Sequence, residues 1–313
     1  MVVTKQAIRD VLKLHAEKYE MRRELPSRTP NTVYEVILDG RRAVCKVASG
    51  DDAHVRKDAL ATRYLAERTP TLVPRVFAIE DDHAIFEWVE GTTYNADANR
   101  ALRERRLRSA GKTLALFHES TDFDTCGYLN CRDGKLAPDA CGTWADMLTA
   151  IVGGWCGDLA GTRFEEAGES VLSFVRDYED AFTAVSEPVL VHGDYQPENI
   201  RFEDESVATV LDWEFCFAGA GEFDLCRAER EFFDWHTAPE GDDLRGSIRK
   251  GYESVRTLQP TFDGRRHIYR AILKLDPMRF FEAWKDQVGD EDEVAKSMCA
   301  FVRDELEFAR RKL

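Results

Sequence analysis

Two apolar-rich runs of strand character, residues 33–38 and 42–48, flank Asp39-Gly40. Asp-Gly between two such runs predicts a tight hairpin, because its central positions adopt positive φ. Upstream, residues 4–22 read as a helix, and Pro26 and Pro30 bracket a short loop after it. Downstream, Asp51 and Asp52 are placed to cap a helix running to about Arg68, which Pro70 and Pro74 end. Strands over residues 75–79 and 84–89 follow. From Gly91 onward the pattern turns helical, over residues 98–119, 144–159, 169–185 and most of 244–313. One β-island, residues 189–211, lies inside this half. The reading is an α+β, two-lobed chain, with a small β-rich N-terminal lobe at residues 1–90 and a large, mainly helical C-terminal lobe at residues 91–313.

The β-island carries the candidate chemistry. Val189-Leu190-Val191 leads into His192-Gly193-Asp194-Tyr195-Gln196-Pro197-Glu198-Asn199, and Val210-Leu211-Asp212-Trp213-Glu214 closes the stretch. An apolar strand delivers Asp194 into a loop, Asn199 opens the next strand, and residues 207–211 return after a turn around Asp204-Glu205-Ser206. A two-residue turn at Glu205-Ser206 sets Asn199 opposite Asp212, whereas a three-residue turn sets it opposite Leu211. In both registers an amide oxygen and a carboxylate meet at the open end of one hairpin. Mg²⁺ prefers such hard oxygens, few from the protein, with phosphates and water completing the octahedron. Phosphoryl transfer needs little beyond positioning and charge neutralisation, and Asp194 is placed to accept or orient the proton of an attacking hydroxyl. The spacing from Asp194 to Asn199 matches the protein-kinase catalytic loop H-R-D-x-x-x-x-N, with Asp212 at the D-F-G position.

This segment resembles the aminoglycoside phosphotransferase and choline kinase-like family, whose signature is H-G-D-x-x-x-x-N followed by I/L-D-W/F. The resemblance implies a protein-kinase-like fold that uses ATP and Mg²⁺. It implies Asp194 as catalytic base, Asn199 and Asp212 as magnesium ligands, and His192 as a residue that shapes the loop. It also implies that Lys46 holds the α- and β-phosphates and pairs with a helix carboxylate. Asp58 lies nearest the family's position for that carboxylate, and Glu67 is the distant alternative. Adenine is expected at the backbone of residues 87–89, which brings Glu87 and Val89 into the ATP site. The phosphate loop departs from the family pattern, since Ser27-Arg28-Thr29-Pro30 before Asn31-Thr32-Val33-Tyr34 contains no glycine. Ser27 and Thr29 hydroxyls, or Arg28, are candidate phosphate contacts, and a plain surface loop is the alternative. No Arg stands between His192 and Asp194, no A-P-E motif appears, and Asp224-Leu225 follows Asp212 closely, as in the family's D-L-A helix start. The expected acceptor is therefore a small hydroxyl-bearing molecule rather than a protein.

Charge refines this picture. Of 43 basic and 58 acidic residues, 15 of each fall within residues 1–90, so the entire formal net charge of −15 belongs to the rest of the chain. Such a surplus repels nucleic acid. It suits adaptation to salt, and it mildly favours a cationic acceptor, an amino sugar or amino alcohol, over a neutral sugar. Glu231, Asp234 and Trp235 are candidate acceptor contacts on that ground, with solvated faces and core packing as the competing explanation. No run approaches the roughly 18 apolar residues of a membrane span, and the charged N-terminus lacks a signal-peptide core, so a cytoplasmic protein is expected. Eight cysteines form no C-x-x-C pair and read as small buried residues. The functional expectation is a small-molecule kinase, with a catalytically weak nucleotide-binding pseudokinase module as the alternative.

Overall fold

A computed structural model of the chain describes every residue except 1–2, 28–29, 51–53, 70, 140–141, 184, 186 and 234–243. Asp51, Asp52 and Pro70, expected to punctuate the second helix, lie outside the described residues. So do Arg28 and Thr29 of the phosphate loop and the acceptor candidates Asp234 and Trp235.

Helix α1 (Lys5–His15) begins where the Thr4 hydroxyl accepts from the Ala7 N–H at 3.2 Å, and it buries Ile8 and Leu12. The helix expected to run to residue 22 stops here. Residues 19–25 instead form β1 (Tyr19–Leu25), antiparallel to β2 (Asn31–Leu38). Tyr19 and Met21, two positions apart, join Val36 and Leu38 in one apolar cluster, the spacing of a strand face. Charged residues further along the strand find partners across the ladder: Arg23 donates to Glu35 at 2.8 Å, and Glu24 accepts from the Tyr34 hydroxyl at 2.9 Å. Asp39 and Gly40, at φ +47° and +81°, turn β2 into β3 (Arg41–Ala48), which is the hairpin the Asp-Gly signal predicted. After α2 (Val55–Ala66), strands β4 (Val76–Ile79) and β5 (His83–Glu87) complete a five-stranded antiparallel sheet of order β1-β2-β3-β5-β4. Helix α2 packs Val55 and Ala59 against Ala84 and Phe86 of the sheet, while its Ala61 and Leu65 enter the main core of the chain.

The second half is mostly helical. Helix α3 (Arg100–Glu119) precedes a hairpin of β6 (Gly127–Arg132) and β7 (Lys135–Pro138), then α4 (Trp144–Leu159) and α5 (Glu165–Asp177). The third expected helix thus starts and ends earlier than residues 169–185, and a short 3-10 turn occupies Glu179–Phe182. Three short strands make the expected β-island: β8 (Val189–Val191), β9 (Ile200–Glu203) and β10 (Ser206–Val210). They lead through β11 (Phe217–Gly219) to α6 (Gly221–Phe233), α7 (Arg245–Glu253), α8 (Phe262–Arg279), the single turn α9 (Phe281–Trp284) and α10 (Glu291–Lys312). Strands β6, β7 and β11 were not expected in this half, yet they join β8 in a four-stranded sheet of order β7-β6-β11-β8. Helices α3 and α7 cross closely, because a Cβ on Gly111 would sit 1.9 Å from the Ile248 carbonyl oxygen, and one on Gly251 would sit 2.0 Å from that of Arg108. No helix among the described residues is long and apolar enough to cross a membrane.

Candidate active site

The site forms where β3 and α2 face the β8–β9 loop and the segment after β10. Lys46 on β3 stands opposite Val33 of β2 and Ala84 of β5, with its stem in the sheet. Its ammonium donates to Asp58 at 2.6 Å and to Asp212 at 2.8 Å. Burial alone would lower the lysine's pKa, but the carboxylates of Asp58, Asp212 and Glu214 reverse that and raise it. Lys46 is therefore a permanent cation. Asp58, 1% exposed, also accepts the backbone N–H of Trp213 at 2.9 Å, so one carboxylate anchors both the lysine and the chain just past Asp212. Glu67, the alternative partner, lies at the end of α2 beside Arg68 at 3.7 Å, away from Lys46.

Neither expected turn forms, although Asn199 comes to face Leu211, as one of the two alternatives had it. Glu203 pairs with Ser206, so the turn is Asp204-Glu205, with Asp204 at φ +52°. The register then shifts between Val207 and Thr209, because the Val207 N–H leaves the ladder to donate to Ser109 Oγ on α3 at 2.9 Å. Leu211 consequently faces Asn199, its N–H donating to the Asn199 carbonyl at 2.8 Å. Asp212 follows at φ +67°, a left-handed backbone that costs a non-glycine residue about 1–3 kcal/mol. Its contact with Lys46 helps hold it there.

Asp194 hangs at the mouth of this hairpin. The Asn199 side-chain amide donates to the Asp194 carboxylate at 3.0 Å and to its carbonyl at 2.9 Å, and Gln196 donates to the same carboxylate oxygen at 2.8 Å. With its NH₂ so engaged, Asn199 turns its amide oxygen away from Asp194, while Lys46 takes only one of the two Asp212 oxygens. Two hard oxygens thus remain for a cation, and this donor set fits Mg²⁺ with few protein ligands. Burial pushes the Asp194 carboxyl up to about 7; Arg227 opposes the shift, Glu231 and Asp212 add to it, and the Asn199 hydrogen bond opposes it. In metal-free, nucleotide-free protein this carboxyl is expected to be protonated below pH 7 and ionised above it. Carbon-detected NMR of labelled aspartate should show a titration near neutrality that disappears in Asp194→Asn and moves higher in Asn199→Ala, which lacks the amide donor. A titration near pH 4 in the native chain would contradict this.

The loop under Asp194 is held from behind by residues not singled out as functional from the sequence. Asp224 on α6, fully buried, accepts the backbone N–H of His192 at 2.7 Å and of Gly193 at 3.2 Å. Its other partner is His118 of α3 at 3.3 Å, which in turn meets the Tyr252 hydroxyl of α7 at 2.9 Å. Burial would raise the Asp224 pKa, but the hydrogen bonds from His118 and the His192 N–H outweigh it, so the carboxyl stays ionised. Burial lowers the pKa of His192, and the neutral ring bridges the Leu211 carbonyl at 3.1 Å and the Asp194 N–H at 3.2 Å. Gly193 at φ +76° has no room for a side chain, since a Cβ would lie 2.5 Å from the Phe215 carbonyl oxygen. Asn31, at the start of β2, donates to Glu214 at 2.7 Å and ties the small sheet to the Asp212 segment. The Asp224-Leu225 pair was the signal in the sequence for this scaffold, but its partners at positions 118 and 252 carried none.

The remaining candidates are more peripheral. Ser27 is exposed in the β1–β2 connection, Glu87 ends β5 and accepts the Arg75 N–H at 3.2 Å, and Val89 is half-buried just beyond. Glu231 lies beside Asp194 on α6, but its carboxylate is 3% exposed and paired with Arg230 and, at 3.8 Å, Arg227.

Known proteins share this fold. Solved structures of the same fold include the streptomycin–ATP–APH(2″)-IIa ternary complex, with TM-score 0.67, 16% identity, and 96% of this chain and 99% of that one covered. Aminoglycoside phosphotransferase APH(4)-Ia gives TM-score 0.64 at 16% identity, covering 96% and 99%. Choline kinase from Cryptosporidium parvum gives TM-score 0.62 at 12% identity, covering 97% and 96%. No curated protein sequence matches. The profile of the phosphotransferase enzyme family matches residues 22–265, a span holding Lys46, Asp58, Asp194, Asn199, Asp212 and Asp224, and the chain belongs to that family.

Proposed function

We propose that this chain is a small-molecule kinase that moves the γ-phosphate of Mg-ATP onto a hydroxyl of a small acceptor. The observation that carries the reading is one connected constellation: Lys46 bonded to both Asp58 and Asp212, and Asn199 bonded to Asp194 at the same hairpin mouth. Phosphoryl transfer asks a protein for positioning and neutralised charge, and this set supplies both. Asn199 and Asp212 would hold Mg²⁺, whose contribution is positive charge on the phosphate oxygens. Lys46 orients the α- and β-phosphates and is itself braced by Asp58. Ser27 borders the phosphates, and the backbone at Glu87 and Val89 receives adenine, in the cleft between the lobes at 1–90 and 91–313. Asp194 takes the proton of the acceptor hydroxyl as that oxygen bonds to the γ-phosphorus and the bond to the ADP oxygen breaks. Asp194 is favoured over His192 as base because the ring nitrogens of His192 are already engaged in the loop. A cytoplasmic setting, where ATP is available, fits this reading.

ATP consumption measured against aminoglycosides, choline, ethanolamine, homoserine and neutral sugars tests the function. Turnover that depends on one of these acceptors is expected, and nucleotide binding without any acceptor-dependent turnover would favour the pseudokinase alternative. Asp212→Ala should abolish the Mg²⁺ dependence of ATP binding in calorimetry, because Asn199 alone is a weak site for a hard dication. Lys46 keeps its 2.6 Å contact with Asp58 in that variant, so the fold should persist. Unchanged Mg²⁺ dependence would remove Asp212 from the metal site.

A further inference from the structure

Among the described residues, the acid on this face of α6 is met by arginine. There α6 and α8 bring together three guanidinium groups, Arg227, Arg230 and Arg279, with the carboxylates of Glu231, buried, and Asp276, half-buried. Arg230 takes up Glu231 and shares Asp276 at 3.0 Å, and Arg279 meets Asp276 at 3.2 Å. Arg279 also reaches Asp158, which is half exposed on the outer side. Among the described residues, both carboxylates of this cluster are thereby paired with arginines.

Arg227 is the group with hydrogen-bonding capacity to spare. It makes a single long hydrogen bond, Nη2 to Asp276 at 3.4 Å, and its Glu231 contact is 3.8 Å. Its Nε is buried with no hydrogen-bond partner, and the side chain is 16% exposed, so part of it meets solvent. Arg227 stands one turn along α6 from Asp224, which grips the His192 and Gly193 N–H groups just before Asp194. An acceptor hydroxyl must sit against Asp194 to give up its proton, beside this turn of α6. The carboxylate oxygen of Asp194 not held by Gln196 and Asn199 is the one left to receive it. A planar fork of N–H donors in that position selects a carboxylate or phosphate oxygen next to the reacting hydroxyl.

We propose that Arg227 is a specificity-determining residue that binds an anionic group carried by the acceptor, so that the preferred substrate is a hydroxy acid, sugar acid or comparable hydroxylated anion. This rests on the kinase reading above and narrows it.

The test uses two matched acceptor sets with the full-length protein, Mg-ATP and an ADP-release assay: glycerate, glycerol and 3-amino-1,2-propanediol, and glucuronate, glucose and glucosamine. The anionic member should give the highest kcat/KM in at least one set. In Arg227→Gln the ratio of kcat/KM for that anion over its neutral counterpart should fall about 10- to 100-fold, the span of a charge-assisted hydrogen bond, mainly through KM. Arg227→Lys should recover part of the ratio, and its melting temperature gives the control for folding. A neutral or cationic member that wins in both sets overturns the inference, as does absence of turnover with both anions or an Arg227→Gln loss that is equal for all members. Calorimetry separates the two levels: Mg-ATP binding with transfer only to cations sinks the acceptor class alone, whereas failure to bind Mg-ATP sinks the kinase reading and this inference with it.

Discussion

Asp194→Asn is expected to lower the rate of phosphoryl transfer by about 10²–10⁴-fold while ATP affinity is retained, the usual worth of a positioned general base. The amide is isosteric and can still meet Gln196 and Asn199 after a flip, so the loop should keep its shape. What it cannot do is take a proton from the acceptor. Lys46, Asp58 and Asp212 are untouched, so calorimetric binding of Mg-ATP should match the native chain. Single-turnover rates with a working acceptor read the loss directly. Equal rates in mutant and native protein would exclude Asp194 as the base and leave the Lys46–Asp212 half of the site standing.

The second large effect lies behind the site. Asp224→Ala removes the acceptor of three buried donors, the His192 and Gly193 N–H groups and His118. Each stranded donor costs roughly 1–3 kcal/mol, so a loss of at least about 3 kcal/mol in unfolding free energy is expected, read from urea denaturation midpoints. Asp224→Asn should lose less, because an amide oxygen still accepts from one of the N–H groups. In whatever fraction remains folded, transfer should slow along with stability, since the loop that carries Asp194 has lost its brace. A destabilisation below about 1 kcal/mol for the alanine variant would mean that water or a neighbour replaces the carboxylate.

How far the sequence could be read depended on the range of the contacts involved. Asp194, Asn199 and Asp212 were legible because five residues and one hairpin connect them, and local geometry brings such groups together whatever surrounds them. The Asp39-Gly40 turn was legible for the same reason. Asp133-Gly134, with φ +49° and +71°, carries the same signal at the β6–β7 turn. It went unread because the surrounding half was taken as helical. Strand β1 was missed because it is an edge strand, mostly exposed, with charged residues whose partners lie on β2. The pairing of Asn199 with Leu211 stood only as one of two alternatives, because Ser109, on a distant helix, draws Val207 out of the ladder.

Charge shows the division most sharply. By itself the sequence determined which polar residues one hairpin brings together and the excess of acid in residues 91–313, since composition and short spacings need no fold to be counted. It could not determine where that acid stands. Glu231 read as an open carboxylate for a cation until the structure paired it with Arg230 and, at 3.8 Å, Arg227, while α8, some 46 residues on, brought Asp276 and Arg279 against the same arginines. Only the tertiary structure decides the sign a ligand meets, because opposite charges distant in the chain cancel when packing sets them a few ångströms apart in a medium that screens them poorly.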